Sequence, residues 1–420
     1  MFRKMSCITM LMFSLSMFCF STCAGISRGL GRGTGRGNRA VMEPKVSCYI
    51  RTWPIPQAAR EGETPYWNAA MIKGEYLTDL IISFALLEKN DVSVPYIPEL
   101  KPLPDGPMFS NIWDEAASLK EKYPHLRVNV SVGGYGADGF SDMADDPALR
   151  SAFVANVCKW LEDYNLDGMD VDWEYPVGPE WGQEIKSRPA DKQNYITLLQ
   201  ELRNAMDQLG AKTGKRYGLS TAVPASNWFP KANDVRAAAR IVDSLKLMAY
   251  DYYGGWSTTT GHHSNLDNNP HDPAWGGWST KQALDEYLWA GVPPEKITLG
   301  IGFYGRAWQG VGRGDYEDTP GLFQPYKSIP NSAPFDQGTV SWTEIKEFLK
   351  PDSGYKRCWD DIAQAPYIYN GDIWISYTDE QQIKILTDFV KENKLGGVFV
   401  WEYGHDMSAD LMKVLAENSQ

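Results

Sequence analysis

Positive charge is in short supply in this chain. Against 53 Asp and Glu stand 41 Lys and Arg, so the formal net charge is -12. That balance argues against a nucleic-acid binder and against a basic membrane-surface protein. An acidic surface fits a neutral substrate, and it also favours solubility whatever the substrate is. Cysteine is scarce as well, with six in 420 residues, three of them at Cys7, Cys19 and Cys23. The remaining Cys48, Cys158 and Cys358 are too widely spaced for a disulfide framework or a zinc pattern. One bridge at most, or three buried thiols, fits that spacing. No G-x-S-x-G elbow and no Walker loop occurs. His262, His263 and His271 cluster in a polar loop, without ligand spacing on a rigid element, so no metal site is expected there. Beyond the N-terminus no stretch reaches the roughly 18 apolar residues that span a bilayer.

What is present begins with a targeting segment. Arg3 and Lys4 precede an uncharged apolar run from Met5 to Phe20, and Thr22-Cys23-Ala24 resembles a small-residue cleavage site. Residues 1–24 are therefore expected to be a signal peptide removed after Ala24, and the protein to be secreted or extracytoplasmic. Lipid anchoring at Cys23 is the minor alternative, with Thr22 an unusual residue before such a cysteine. Residues 25–44 open with "GISRGLGRGTGRGNRA", a Gly/Arg-rich linker without apolar periodicity. Its G-x-G spacing is not a dinucleotide site, because no strand precedes it and no helix follows. From residue 45 onward a large core is affordable, since 43% of the chain is hydrophobic. The 16 Trp and 22 Tyr fit stacking on sugars and fit ordinary packing equally well.

Short apolar runs alternate with amphipathic segments over residues 45–420. Strand-like runs occupy 46–53, 79–87, 126–134, 166–174, 217–225, 242–251, 297–305 and 396–403. Helical patterns lie between most of them, such as 147–165 and 191–210, the latter with Asp191 as expected N-cap and Gly210 as expected stop. Such alternation predicts an α/β fold, a (β/α)8 TIM barrel, with a doubly wound sheet as the competing architecture. The gap between the seventh and eighth runs is too long for one helix. A small α+β insertion at about 306–379 accounts for it, and its place after a strand puts it on the face where barrel active sites lie, as one wall of a groove.

The fourth run, "LDGMDVDWE", carries the chemistry. On a strand, Asp170, Asp172 and Glu174 share one face and point into the barrel, while Met169, Val171 and Trp173 point towards the helices. The three acids span roughly 13 Å, and Glu174 falls at the C-terminal end. Like charges so close raise at least one pKa and share protons, which makes a general acid near neutral pH. A solvated acidic patch fits badly among apolar and aromatic neighbours. Calcium would be bound on a turn with Gly rather than in an alternating apolar run. Asp167 is expected to have a structural role at the start of the strand.

"DGMDVDWE" is similar to the D-G-x-D-x-D-x-E signature of family 18 glycoside hydrolases, the chitinase family. "SVGGYG" (131–136), "LMAYDYYGGW" (247–256), "GFYGRAW" (302–308) and "GVFVWEY" (397–403) resemble that family's motifs on strands three, six, seven and eight, in order. The insertion, with "SWTEI" and "WDDIAQAPYIYN" (359–370), resembles the extra α+β domain of its deep-groove members. The resemblance covers about residues 45–410. It implies a retaining, substrate-assisted reaction in which the 2-acetamido group of the sugar is the nucleophile and an oxazolinium ion the intermediate. Glu174 would be the acid, Asp172 would hold the acetamido N–H, Asp170 would share a proton with Asp172, and Tyr250 would bond the acetamido oxygen. Asp251, Trp401, Trp256, Tyr135, Met248, Tyr304 and Arg306 would line the substrate groove. The implied partner is chitin or a chitooligosaccharide, with no cofactor, no metal, no nucleic acid, no membrane-spanning segment and a monomeric chain. Two rivals belong to other classes: a chitinase-like lectin, which typically lacks the acid, and an endo-β-N-acetylglucosaminidase acting on N-glycans or cell-wall sugars.

Overall fold

Parallel strands fed by outer helices close into a ring. The computed structural model describes residues 44–55, 66–97, 112–179, 185–274 and 278–419. The expected signal peptide with Cys23, and the linker up to residue 43, lie outside the described residues. The strands are β1 (Lys45–Arg51), β2 (Asp79–Glu88), β3 (Asp91–Tyr96), β4 (Arg127–Gly133), β5 (Gly168–Asp172), β6 (Gly218–Pro224), β7 (Ser244–Met248), β8 (Ile297–Gly302), β9 (Tyr304–Gln309), β10 (Thr339–Ser341), β11 (Lys356–Asp360), β12 (Ala365–Tyr369), β13 (Ile373–Ser376) and β14 (Gly397–Trp401). In space β1, β14, β8, β7, β6, β5, β4 and β2 follow one another, and β1 pairs with β2 to close the barrel. Both faces of these strands are covered, so they read as near-continuous apolar runs; every residue of β8 is buried. The expected eight-stranded barrel is thus the fold, and the doubly wound alternative is excluded by the β1–β2 closure.

The helices that follow the strands pack on the outside and end where local chemistry tells them to. Helix Pro147–Asp163 starts at Asp146, whose carboxylate accepts from Ala148 N (2.7 Å) and Leu149 N (3.2 Å), with Pro147 in the first turn. Helix Asp191–Thr213 departs from the sequence reading at both ends. Asp191 is not its cap: it is buried, accepting from the Ser141 hydroxyl (2.6 Å) and Arg188 N (2.7 Å), and so ties the helix to its neighbour. The stop is not Gly210 but Gly214, at φ 74, a left-handed conformation that a side chain disfavours. Strand β3 was not anticipated; it pairs antiparallel with β2 outside the barrel ring. Among the described residues no helix is long and apolar enough to cross a membrane. Cys48, Cys158 and Cys358 are free thiols.

Between β8 and β14 lies the insertion, a second sheet in the order β10-β9-β13-β12-β11 with antiparallel pairings. Its helix Trp342–Phe348 opens with a reciprocal cap between Ser341 and Glu344. The sheet is stitched directly to the barrel mouth, since Phe303 N donates to Trp401 O (2.9 Å) and Trp342 N to Phe303 O (3.0 Å). Two apolar clusters result. The larger one fills the space between strands and helices, and a smaller one of Tyr49, Ile81 and Phe399 fills the barrel, with Phe84, Met248, Tyr250 and Trp401 packed above it. That inner cluster is the floor on which the site stands.

Candidate active site

Strand pairing in register sets the lowest layer. Asp170 stands opposite Ser131 of β4 and Ser220 of β6, so all three side chains meet inside the barrel. Asp170 Oδ2 accepts from the Tyr49 hydroxyl (2.7 Å) and the Ser131 hydroxyl (2.8 Å), and Oδ1 accepts from the Ser220 hydroxyl (2.6 Å) and Lys246 Nζ (3.0 Å). Burial works against the charge of Asp170, but the Lys246 ammonium and these hydroxyls outweigh it and hold the carboxyl below the usual range.

One step up, Asp172 is in the opposite condition. Burial first, then the charges of Glu174 and Asp170, push its pKa well above the carboxylate range, with Lys246 only partly opposing. Its Oδ1 is buried with no hydrogen-bond partner among the described residues. Trp173 between the acids points outward, as strand alternation requires, stacked on Phe140 at 5.3 Å and edge-on to Tyr195 at 6.2 Å. Glu174 follows the strand end and faces the cleft. Burial lifts its carboxyl to about 7, the Tyr175 hydroxyl bonding it pulls the other way, and the charge of Asp251 adds to the rise. The proton sharing expected along the whole column is therefore narrower than the sequence reading had it. Asp170 bonds Tyr49, Ser131, Ser220 and Lys246 but not Asp172, so the raised pair is Asp172 and Glu174.

At the end of β7 and just beyond it the chain places Met248, Tyr250 and Asp251 at the same opening. Tyr250 packs against Tyr304 and Phe399, and its hydroxyl makes no hydrogen bond to a described residue. Burial, then Tyr304 and the nearby carboxylates, keep it a phenol. Asp251 adopts φ 61 and is gripped from the inserted sheet: Arg306 donates through Nε to Oδ1 (2.8 Å) and through Nη2 to Oδ2 (2.7 Å), and the Tyr304 hydroxyl donates to Oδ1 (2.7 Å). Burial opposes its charge, yet Arg306 holds the carboxyl below the usual range. His263 beside it is pushed down to about 3 by burial and stays a neutral imidazole. Tyr304, expected to face the substrate, is nearly buried and spends its hydroxyl on Asp251.

Aromatic rings make the walls. Phe84, within β2, stacks on Trp401 at 5.4 Å and on Trp53 at 6.1 Å, so it joins the ring at the end of β14 to the one just past β1. Across the opening Trp256 is 62% exposed and rests on the Arg306 guanidinium at 5.1 Å, while Tyr135 is 69% exposed. Large aromatic faces kept in water at a cleft rim are suited to stacking on a flat ligand. The cleft has a volume of about 1570 Å³, and Trp53, Glu174, Trp256 and Tyr135 are among the residues that line it. All eleven residues expected at the site stand within or directly beneath it; Asp170 alone lies below its floor.

Sequence reasoning missed Lys246, the two serines, Tyr175, Phe84 and Trp53. Lys246 did leave a signal: a lysine alternating with leucines in "SLKLM" faces the inside of a buried strand. Phe84 and Trp53 left none that separates them from ordinary packing.

The sequence profile described as Glycosyl hydrolases family 18 matches residues 45–406. The chain is 34% identical to "Chitinase A1" of Niallia circulans over 74% of its own length, and spans 45% of that relative. Among solved structures it is similar to "Chitinase ChiA74 from Bacillus thuringiensis" (TM-score 0.78, 28% identity, covering 90% of this chain and 70% of that one). It is also similar to a glycoside hydrolase family 18 N-acetylglucosaminidase from Paenibacillus barengoltzii (TM-score 0.74, 31% identity, covering 89% and 99%).

Proposed function

The chain belongs to glycosyl hydrolase family 18, and from that premise we propose that it is an exported chitinase, cleaving β-1,4 linkages of N-acetylglucosamine polymers with retention of configuration. One observation carries the reading: a carboxylic acid lifted to about 7 faces a cleft of about 1570 Å³ walled by exposed aromatic rings. Glu174 is protonated near neutral pH and donates to the glycosidic oxygen as the bond breaks. The acetamido carbonyl of the same sugar attacks the anomeric carbon, giving an oxazolinium ion. Two protein groups are left open to orient that nucleophile, the buried Asp172 Oδ1 for the acetamido N–H and the Tyr250 hydroxyl for its oxygen. Orienting an internal nucleophile in this way removes up to about 7–11 kcal/mol of barrier. Glu174 then takes a proton from water, which opens the oxazolinium from the face the leaving group left.

The relatives named as chitinases support the substrate class. The similar structure described as an N-acetylglucosaminidase favours a second reading, release of single sugars from a chain end. The test is hydrolysis of chitin oligosaccharides by the protein and by Glu174→Gln, with products resolved by length and anomer. Longer β-anomeric products made by the wild type alone support the proposal, and monosaccharide alone supports the second reading. Equal inactivity of both proteins would leave a sugar-binding lectin, and cleavage of N-glycans only would replace chitin as substrate. An N-thiazoline mimic of the oxazolinium should inhibit; lack of inhibition at saturation counts against an acetamido nucleophile.

A further inference from the structure

Lys246 has no step in the reaction just described, yet it occupies the middle of the barrel. Its side chain is 6% exposed and that of Asp170 is not exposed at all. Its ammonium bonds Asp170 Oδ1 and the Ser220 hydroxyl and stands 5.9 Å from the Tyr49 ring. Burying an ammonium is costly unless it is paired and bonded, so this placement is itself informative. The groups packed around the pair come from several strands: Tyr49 from β1, Ser131 from β4, Ser220 from β6, Asp172 from the same β5, and Thr298 of β8 opposite Lys246 in register. Below them a cavity of about 30 Å³ is lined by Lys246 itself and by Lys45, Arg127, Asp79 and Asp243, so the other two cations there have two acids of their own. Lys246 is thus the one cation among the described residues set against the three acids of β5 and its end.

The four donors on Asp170 leave no oxygen free to carry a proton. A protonated Asp170 would surrender one of those bonds and strand the Lys246 ammonium without a counterion. We propose that Lys246 is a positioning residue that keeps Asp170 ionised and so reserves the mobile proton of the acidic strand for Asp172 and Glu174. The low-lying carboxyl of Asp170 and the raised one of Asp172 agree with this division. The consequence for catalysis rests on the hydrolase reading above; the charge state of Asp170 does not.

Two measurements test it. In the unliganded protein with ¹³C-labelled aspartate carboxyls, Asp170 should stay ionised throughout the range in which Asp172 takes up and loses its proton. A shared titration of the two in that window overturns the proposal, whatever the enzyme does. In Lys246→Met, the acidic limb of kcat/KM against pH on a chitooligosaccharide should move up by about one unit or more, because the cation that favoured the ionised Asp170 and Asp172 is gone. kcat should fall at least tenfold with KM nearly unchanged. A folded Lys246→Met with the wild-type pH profile overturns the proposal. If that variant does not fold, Lys246→Met combined with Asp170→Asn, which removes both charges, should restore folding; failure of both leaves the carboxyl titration to decide. A wild type inactive on chitooligosaccharides defeats the hydrolase reading alone, because the carboxyl titration needs no substrate.

Discussion

At Glu174 the fold raises a carboxyl from its ordinary value of 4.5 to about 7, and function and stability then pull in opposite directions. A general acid must be protonated, so kcat/KM should decline about tenfold per pH unit above roughly pH 7. The folded state binds this proton more tightly than the unfolded chain does. Its stabilising effect is therefore complete below about pH 4.5 and is lost as pH rises to about 7. Glu174→Gln should accordingly raise Tm by about 2 °C at pH 8 and leave it unchanged at pH 4, as read by thermal unfolding. A Tm gain that is the same at both pH values would contradict the raised carboxyl. Asp172→Asn should lower kcat by about 100-fold or more with an intact fold by circular dichroism, because in the proposed mechanism its open oxygen orients the nucleophile. An unchanged rate would remove Asp172 from the mechanism. The acids themselves were legible in the sequence, as period-2 spacing on one strand. Which of them keeps its charge was not, since that depends on Lys246, 76 positions away in the chain.

Strands β4 and β5 show how tightly element geometry constrains the site. Gly133, at φ 119, stands opposite Asp172 in register, and a Cβ there would approach Asp172 O at 2.0 Å. Gly133→Ala must therefore push the end of β5 out of place. Activity should fall at least 100-fold while most of the barrel melts near the wild-type temperature; near-normal kcat would show that the strand end tolerates displacement. The eight barrel strands were readable because each is an apolar run bounded by turn residues. Their ends were not: the runs continue through Trp53, Asp251 and Tyr403, whereas the ladders stop at Arg51, Met248 and Trp401; beyond those ends Trp53, Tyr250 and Asp251 line the cleft, while Tyr403 packs into the core. Strand β3 was invisible because "DVSVPY" is short, contains a proline and lies at the edge of the sheet, where proline costs no ladder bond. Asp191 misled for a related reason. An acid before a helical run reads as a cap, but here its carboxylate is recruited sideways by Ser141 and Arg188.

For the molecule as a whole, the inserted sheet is more than a wall. Arg306 on β9 reaches across to hold Asp251 of the barrel with two parallel bonds, donates to Thr339 on β10 and supports the Trp256 ring. Lysine cannot make that fork. Arg306→Lys should therefore loosen Trp256 and raise KM for long chitooligosaccharides about tenfold with kcat less affected, a split read by steady-state kinetics. Equal effects on KM and kcat would place Arg306 in the chemical step instead. The sequence by itself determined the barrel, the insertion after its seventh strand, the inward column of acids and the motifs that place the chain in its family. Each of these rests on short-range periodicity or on residue type at fixed spacing. Only the tertiary structure decided that Asp170 is the held anion, that Asp251 is gripped by Arg306 and that Phe84 and Trp53 join Trp401 in one aromatic wall. Those outcomes follow from charges and rings that come within a few ångströms only after the ring of strands has closed, and no local pattern in the chain encodes that approach.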